Sequence, residues 1–345
     1  MQETETPIVS VITPTFNRAS ELELLINSIQ NQTFDHSKYE MIIADDGSTD
    51  ETDKLLKHME SVVDFKLKFV TQENKGPGAA RNLGIQNSQG ELILFIDSDC
   101  EADSKWIEII YNEYLKEGFD ACGGPDSAKS DFSPIQKAID FSMTSFFTTG
   151  GMRGHGKNRL AKFYPRSHNM GMTKTLVKEV GGFGHLRHGQ DIELSHRIFQ
   201  SGANVKFISE AVVYHRRRTS LKLFFRQTFN WGVARINLYK IDKSLLEPIH
   251  FLPSIGLITI FSVIFGAGLS ISVFQYLLLI GLILFASLCI SGSFKHKDIR
   301  VLSNLILIIP TQIIGYGSGF LIAFTKRVIF GSELFTGFEK KYYSK

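Results

Sequence analysis

The sequence predicts an α/β domain with a parallel β-sheet covered on both faces, followed by a C-terminal region of membrane-spanning helices. Over roughly the first 125 residues, short apolar runs alternate with segments of helical periodicity. Repeated βα units need crossover connections, which make neighbouring strands parallel and cover both faces of the sheet. Further along, residues 251–294 and residues 301–325 contain no charged side chain and no histidine. Such stretches are more apolar than the core helices of soluble domains need to be.

The predicted strands of the first domain end in polar clusters. These strands are residues 8–13, 39–44, 65–70, 92–96 and 119–123, with helices between them. Acidic residues follow two of the strands, as Asp45-Asp46 and as Asp97-Ser98-Asp99. Ligands of parallel sheets bind beyond the carboxyl ends of the strands. Both acidic clusters are therefore expected at a binding site.

Charge, cysteines and the N-terminus exclude several classes of protein. The net charge of +3 is too small to indicate a nucleic-acid partner. The three cysteines are odd in number and widely spaced, so they suggest neither a disulfide framework nor a zinc site. Residues 1–6 lack the features of a signal peptide. We therefore expect the first domain to remain in the cytoplasm.

The uncharged stretch 251–294 predicts two membrane passes. A single helix of this length would extend ~66 Å, about twice the thickness of a bilayer core. We expect spans at about 251–271 and 275–293, with Lys295, Lys297 and Arg300 returning to the cytoplasm as the positive-inside rule requires. A third segment, 302–325, stays open between two interpretations. A span would place the basic tail outside, against that rule, whereas Pro310 and several glycines suit a re-entrant or interfacial segment equally well.

The predicted organisation has four parts. Residues 1–215 form the first domain, 216–250 a basic amphipathic segment, 251–330 the apolar region, and 331–345 a tail. Between residues 216 and 243 there are eight basic side chains and one acidic one. A basic amphipathic helix next to hydrophobic spans favours the anionic cytoplasmic face of a membrane. The alternative interpretation is an ordinary solvated surface helix.

A series of short motifs follows the predicted strand ends in a fixed order. The motifs are PTFNR at 14–18, DDGSTD at 45–50, NKGPGAARN at 74–82, DSD at 97–99, NMGM at 169–172, GGF at 181–183 and GQDIELSHR at 189–197. A lone D-x-D is weak evidence, but the ordered set is specific. The set resembles family-2 glycosyltransferases, inverting enzymes of the GT-A fold. This resemblance covers about residues 8–215.

A metal site is expected at the second acidic cluster. Asp97 and Asp99 lie two residues apart at the end of a strand, where two carboxylates can hold Mg²⁺ or Mn²⁺ and leave positions for diphosphate oxygens. The metal would neutralise charge on the departing nucleoside diphosphate. The resemblance implies that His215 is a further metal ligand, and a structural role for this histidine is the alternative.

The resemblance also implies the residues that bind a nucleotide-sugar. Asp46 would accept a hydrogen bond from the base or the ribose, Phe16 would stack on the base, and Pro14 would shape the pocket. Lys75 and Arg81 are cations expected near the phosphates. The full set of expected donor-binding residues is Pro14, Phe16, Arg18, Asp46, Lys75, Arg81 and Asp97. A helix-capping turn at 45–48 and a plain tight turn at 76–78 are the structural alternatives.

Asp191 is the candidate general base. Transfer to a hydroxyl requires removal of its proton as the oxygen attacks the anomeric carbon opposite the leaving group. Gln190 stands where the family usually has a glutamate. Glu193 and Arg197 lie four residues apart on one helix and are expected to form a structural ion pair.

Together these features predict a multi-pass protein of the cell membrane with a cytoplasmic catalytic domain. The expected reaction transfers one sugar from a UDP- or GDP-sugar to a hydroxyl of a lipid-linked or membrane-proximal glycan, in cell-envelope polysaccharide synthesis. A polyprenyl-phosphate glycosyl synthase and a processive polysaccharide synthase are the enzymatic alternatives. Residues 227–231, QTFNW, partly match the Q-x-x-R-W motif of processive polysaccharide synthases. Asn230 replaces the arginine of that motif, so the sequence does not support processivity. A membrane scaffold without turnover is a non-enzymatic alternative, and the base, sugar and acceptor are left open.

Overall fold

The computed structural model describes residues 6–149, 163–333 and 335–338. Within these residues the chain divides into two compact units. The first unit comprises residues 6–127 and 163–216, and the second comprises residues 128–149 together with the described residues from 217 to 338.

The strands all belong to the first unit. In chain order they are β1 (Val9–Thr15), β2 (Tyr39–Asp45), β3 (Lys66–Thr71), β4 (Leu92–Phe95), β5 (Cys100–Ala102), β6 (Ala121–Gly123), β7 (Asp126–Ser127), β8 (Met170–Thr173), β9 (Val205–Phe207) and β10 (Val213–His215).

The helices are distributed over both units. In chain order they are α1 (Ala19–Gln30), α2 (Thr52–Val62), α3 (Pro77–Gln86), α4 (Trp106–Glu117), α5 (Pro134–Thr144), α6 (Phe146–Thr149), α7 (Lys174–Val180), α8 (Gln190–Gln200), α9 (Leu221–Ile241), α10 (Leu252–Gly268), α11 (Ser272–His296) and α12 (Ile299–Phe324).

Within the described residues the main sheet has seven strands in the order β3-β2-β1-β4-β8-β6-β9. The parallel arrangement predicted from the βα repeats is confirmed for β1 to β4. The strand β8, which lies outside those repeats, pairs antiparallel with both β4 and β6. A strand reached without a βα crossover is free to run in the opposite direction. A second sheet of short strands, in the order β5-β10-β7, was not predicted.

Helices cover both faces of the main sheet, as the sequence predicts. The two faces follow from the alternation of side chains along each strand. On β4, Leu92 and Leu94 join one buried cluster, which includes apolar residues of α1, α2 and α4. Ile93 and Phe95 point to the opposite cluster, which includes residues of α7 and α8. Both clusters keep the strands in place, so the loops at the carboxyl ends of β1, β2 and β4 have rigid supports.

The second unit contains the apolar helices. Within the described residues, Pro248–Gly268, Ser272–His296 and Ile299–Ile329 are long and apolar enough to cross a membrane, by length and composition. The segment that the sequence left open is thus a continuous helix, with Pro310 inside it. Whether each of these helices crosses a membrane stays a prediction.

Candidate active site

Two sequence motifs meet where β1 and β2 end. The strands are parallel, and Thr15 lies opposite Asp45 in the register. Asn17 follows β1 in a left-handed conformation with φ 51°. Its side-chain oxygen accepts a hydrogen bond from Thr49 N at 2.7 Å, and its own N–H donates to Ser48 Oγ at 2.9 Å. The segments 14–18 and 45–50 are therefore held against each other.

Asp46 holds the loop that leads into α3. Its buried carboxylate accepts hydrogen bonds from Lys75 N at 2.9 Å, from Gly76 N at 2.8 Å and from Gln72 Nε2 at 2.7 Å. Gly76 has φ 92°, a conformation that favours glycine. These contacts show a structural function for Asp46, and its predicted hydrogen bond to a nucleotide stays a prediction.

Arg81 joins α3 to the D-x-D turn. Its Nη2 lies 2.5 Å from Asp97 Oδ1, and its guanidinium lies 5.1 Å from the ring centroid of Phe183. The neighbouring Asn82 exchanges two hydrogen bonds with the backbone of Phe183, at 2.9 and 2.8 Å. Three of the motifs, at 74–82, 97–99 and 181–183, are therefore brought together.

Asp99 and His215 face each other across β5 and β10. These strands pair antiparallel, with His215 opposite Cys100. Asp99 Oδ1 lies 3.3 Å from His215 Nε2, while Asp99 Oδ2 accepts a hydrogen bond from Arg18 Nη1 at 2.7 Å. Two ligand atoms about 2.1 Å from one cation and at right angles to each other are about 3 Å apart. The Asp99–His215 pair therefore fits a divalent cation.

Asp97 is not part of the same group. Among the described residues, the groups with metal-ligand spacing are Asp99, Cys100 and His215, and Asp126, His168 and His215. The Asp97 carboxylate is instead paired with Arg81. Its predicted roles as a metal ligand and in donor binding stay predictions.

Asp126 and His168 were missed by the sequence reasoning. Asp126 Oδ2 lies 3.8 Å from His215 Nδ1 and 3.7 Å from His168 Nε2, and the two imidazole rings are 5.1 Å apart. Asp126 belongs to a two-residue strand outside any acidic motif, so no sequence signal marked it. His168 directly precedes the NMGM motif, and this adjacency was the available signal.

Asn169 fixes the backbone around this histidine pair. Its side-chain oxygen accepts a hydrogen bond from Trp106 Nε1 at 2.9 Å. Its Nδ2 donates to the carbonyls of Pro125 at 2.9 Å and Ala211 at 2.7 Å. Pro125 precedes Asp126 in the chain, and Ala211 lies just before β10. One buried amide thus ties together the segments that carry Asp126, His168 and His215.

Asp191 lies in the first turn of α8. Its Oδ1 accepts a hydrogen bond from Ile192 N at 3.0 Å, and its Oδ2 lies 3.4 Å from Arg166 Nη1. Burial raises the pKa of this carboxyl, but the positive charges of Arg166, His168 and Arg81 outweigh that effect and leave the pKa below its ordinary value. Asp191 is therefore ionised at neutral pH. Arg166 was not identified from the sequence.

The helix of Asp191 also packs against the glycine-rich loop. A Cβ atom on Gly78 would lie 2.6 Å from Gln190 Nε2, so the end of the Gln190 side chain lies directly against the backbone at Gly78. Arg81 acts electrostatically on Asp191 and forms an ion pair with Asp97. The D-x-D turn and the start of α8 are thus neighbours. Glu193 and Arg197 form the structural pair that the sequence predicts, at 2.6 Å.

The remaining predicted residues lie at the same edge of the sheet. Pro14 is buried within β1, and Phe16 directly after β1 is partly exposed. Lys75 has an exposed side chain and donates its backbone N–H to Asp46. Their predicted contacts with a nucleotide-sugar stay predictions.

Known proteins share this domain. Residues 10–181 match the family described as "Glycosyl transferase family 2". The glycosyltransferase AglE of Haloferax volcanii is 28% identical over 248 residues, which cover 71% of this chain and 79% of the relative. The putative glycosyltransferase EpsH of Bacillus subtilis is 29% identical over 259 residues, 70% of each chain.

A solved structure supports the same fold. The mannosyltransferase PcManGT from Pyrobaculum calidifontis, in complex with GDP-Man and Mn²⁺, superposes with a TM-score of 0.60 over 90% of this chain and 88% of that chain. At 18% sequence identity this similarity shows the fold alone. The family match shows that this chain carries a glycosyl transferase family 2 domain and is a transferase, and the structural similarity shows the GT-A fold of that domain, which apolar C-terminal helices follow.

Proposed function

We propose that this protein is an inverting glycosyltransferase that moves one sugar from a UDP- or GDP-sugar to a hydroxyl of a lipid-linked or membrane-proximal glycan. The observation that carries the proposal is one arrangement of charges. Asp99 and His215 have the spacing of cation ligands. Asp191 is ionised, and the positive charges that act on it include those of Arg81 and His168. A cation site and a carboxylate base are the two elements that metal-dependent transfer to a hydroxyl requires.

The metal site would hold Mg²⁺ or Mn²⁺. Asp99 and His215 are the proposed ligands, with Asp97 as a further candidate. The cation would compensate the charge of the leaving nucleoside diphosphate. Arg18 binds one oxygen of Asp99 and so orients the other oxygen toward His215. The Mn²⁺ in the PcManGT complex supports this assignment by analogy.

The donor would bind at the edge formed by β1, β2 and α3. Phe16 would stack on the base, in a pocket shaped by Pro14. Asp46 would serve both the nucleotide and the loop 74–76, since each carboxylate oxygen accepts more than one hydrogen bond. Lys75, Arg18 and Arg81 would attract the phosphates. The donor in the PcManGT complex is GDP-Man, which by analogy supports a GDP-sugar among the two proposed donors.

Asp191 would act as the general base. The acceptor O–H would give its proton to the Asp191 carboxylate as the oxygen attacks the anomeric carbon. The bond from that carbon to the phosphate oxygen would break in the same displacement, which inverts the configuration. Arg166 would keep the carboxylate ionised and in position.

Two other enzymatic functions are second to this one. A polyprenyl-phosphate glycosyl synthase has an acceptor that is already anionic and needs no base, so the ionised Asp191 favours a hydroxyl acceptor. A processive synthase would need more spans to build a channel than the three apolar helices found among the described residues.

We place the catalytic domain, residues 1–215, on the cytoplasmic side of the cell membrane. Residues 216–250 would lie at the membrane surface, and the apolar helices of 251–330 would anchor the protein. Lys295, Lys297 and Arg300 at the α11–α12 junction support this orientation through the positive-inside rule.

A donor screen tests the proposal. UDP-, GDP- and dTDP-sugars are added to the purified protein with and without Mn²⁺, and thermal stability and sugar release are measured. We expect one nucleotide class to raise the melting temperature, because a ligand that binds the folded state stabilises it by mass action. The Asp99→Asn variant should lose the metal-dependent part of this shift. Turnover that persists in excess EDTA would refute the metal-dependent mechanism.

A further inference from the structure

The packing of α12 shows how the apolar region is arranged. The helices α10 and α11 form a hairpin, with α10 ending at Gly268 and α11 beginning at Ser272. At the closed end of the hairpin, Gly266 lies so close to Phe274 that a Cβ atom would collide with its ring. The open end of the hairpin therefore consists of the first turns of α10 and the last turns of α11.

The helix α12 contacts the hairpin at its open end. Near its start, Leu305 lies against Gly292 of α11, where a Cβ atom would collide with it. Farther along α12, Phe320 packs on Phe251, just before α10, at a ring distance of 5.0 Å. Ser254 Oγ, in the first turn of α10, donates to Gly317 O at 3.4 Å.

These contacts fix the direction of α12. From Leu305 to Phe320 the helix advances about 22 Å along its axis. Nevertheless, both residues contact the open end of the hairpin. A third spanning helix would instead lie along the hairpin and approach its closed end. The helix α12 therefore runs across the open end of the hairpin.

The exposure of the closed half of the hairpin is consistent with a helix α12 that runs across the open end. Large apolar side chains along the closed half of the hairpin are exposed, and no part of the described chain covers them. They include Phe261, Ile264 and Phe265 of α10, and Val273, Tyr276, Leu277, Leu279 and Ile280 of α11.

The opposite side of α12 is occupied by the basic helix α9. Gly315 lies against Thr228, Gly319 against Phe229 O, and Gly232 against Tyr316 O, all closer than a Cβ atom would allow. Past the end of α12, Arg327 donates to Asn237 Oδ1 at 2.5 Å. The two helices therefore run side by side over most of α9.

This pairing argues against a membrane crossing by α12. If α12 crossed, α9 would have to enter the membrane with it and carry Lys222, Arg226, Arg235 and Lys240 along. Charged side chains within the hydrocarbon core are strongly unfavourable. At the membrane surface the same charges would face anionic headgroups.

We infer that only α10 and α11 cross the membrane, and that α12 lies in the cytoplasmic interface with its exposed side against the lipid. That side is apolar: Leu307, Ile314 and Ile322 are each at least 40% exposed. The chain after α12 then returns to the side of α9, where Asn230 exchanges two hydrogen bonds with the backbone of Phe338 at 3.1 and 2.8 Å. The inference rests on the membrane anchor of the proposed function.

Thiol accessibility tests the topology. Single cysteines are introduced in the full-length protein by Ser270→Cys in the hairpin loop, Ser332→Cys after α12, and Ser61→Cys in the first unit. All three positions are exposed, and the native cysteines are buried. Membrane-impermeant maleimide is then applied to right-side-out and to inside-out vesicles. We expect Ser332→Cys to react from the same side as Ser61→Cys, and Ser270→Cys from the opposite side.

Two other outcomes separate the inference from the anchor itself. Reaction of Ser332→Cys from the side of Ser270→Cys would mean that α12 crosses, which overturns the inference and leaves the anchor intact. Reaction of all three from one side, with protein released by washing, would refute both.

Depth measurements provide a matched control. Spin labels at Leu307→Cys, Ile314→Cys and Ile322→Cys of α12 are compared with labels at Leu277→Cys, Leu284→Cys and Ser291→Cys of α11. Collision with oxygen and with a water-soluble nickel complex reports the depth of each label. The α12 labels should all lie at one shallow depth, while Leu284→Cys should be the deepest of the α11 labels. A depth maximum at Ile314→Cys would overturn the inference.

Discussion

Replacing Asn169 by alanine should destabilise the catalytic domain by about 2–4 kcal/mol. The side chain is 1% exposed and makes three hydrogen bonds, with Trp106 Nε1, Pro125 O and Ala211 O. Pro125 O keeps a hydrogen bond from Val213 N at 3.2 Å, so Trp106 Nε1 and Ala211 O are the groups that lose their partner. Each buried polar group that loses its partner costs about 1–3 kcal/mol, so the two cost about 2–6 kcal/mol. A water molecule in the vacated space can restore part of this, which leads us to the lower half of the range.

The assay is thermal unfolding of the full-length protein, followed by the fluorescence of the buried Trp106. Trp106 and Trp231 are the two tryptophans of the chain, so a Trp231→Phe background isolates the signal. The expected loss corresponds to a decrease in melting temperature of about 4–16 °C for a domain of this size. Asn169→Asp is a sharper variant, because it keeps the acceptor for Trp106 but turns an oxygen toward two carbonyls. It should be at least as unstable as Asn169→Ala.

The matched control is Asn87→Ala. Asn87 is exposed and donates one hydrogen bond to Leu83 O at 2.8 Å, so its loss should change stability by about 0.5 kcal/mol or less. If Asn169→Ala melted within a few degrees of this control, the three hydrogen bonds would not hold the segments of Asp126 and His215 together. The same variant should then also keep normal Mn²⁺ affinity.

Four further predictions concern the site and the anchor. Asp99→Asn keeps the size of a proposed ligand but removes its charge, so Mn²⁺ affinity measured by calorimetry should fall by more than about 100-fold. Asp126→Asn should lower it by about 10–100-fold, as expected for a carboxylate that orients a ligating histidine, whereas the exposed Asp53→Asn should leave it unchanged. Asp191→Asn should lower kcat by about 10²–10⁴-fold in single-turnover experiments while donor affinity in titrations stays the same. Truncation after Ile241 should expose the apolar side of α9 that packs on α12, so the shortened protein should aggregate without detergent on size-exclusion chromatography.

Each of these has a clear contrary result. Unchanged metal affinity in both Asp99→Asn and Asp126→Asn would place the cation elsewhere. Loss of donor binding in Asp191→Asn would indicate a structural role, whereas near-normal turnover would remove this residue from the mechanism. A monomeric, detergent-free protein ending at Ile241 would mean that α9 does not need its partner helix.

The sequence predicts those parts of the fold that depend on local pattern. Alternation along β4 separates Leu94 from Phe95 onto opposite faces of the sheet, and the motif order identifies the family before any contact is known. The short strands β5, β7 and β10 have two or three residues each, too few to show a period. They exist because tertiary contacts such as those of Asn169 hold them. For that reason the contact between Asp126 and His215 could not be predicted from the sequence.

The arrangement of the apolar helices was beyond the sequence for a different reason. Hydropathy measures composition, and α12 is as suitable for a span as α10 by that criterion. The two helices differ in what packs against them. The glycines Gly315 and Gly319 bring α12 against α9, whereas Ile258 and Phe261 of α10 stay exposed. A pattern of small residues indicates close packing but does not name the partner.

The charge at Asp191 bears on which acceptor the proposed reaction uses. Burial alone would raise the pKa of this carboxyl toward a neutral acid, but Arg166, His168 and Arg81 keep it ionised. An ionised carboxylate can accept a proton from a hydroxyl, which is the step that the proposed reaction requires. The lowered pKa reduces the affinity of the Asp191 carboxylate for a proton, but it also keeps the carboxylate deprotonated around neutral pH. A weak base is sufficient here, because the hydroxyl gives up its proton in the transition state, where its oxygen has already begun to bond to the sugar and the O–H group is more acidic. The ionised form of Asp191 is therefore the form that can act as the base of the proposed transfer to a hydroxyl.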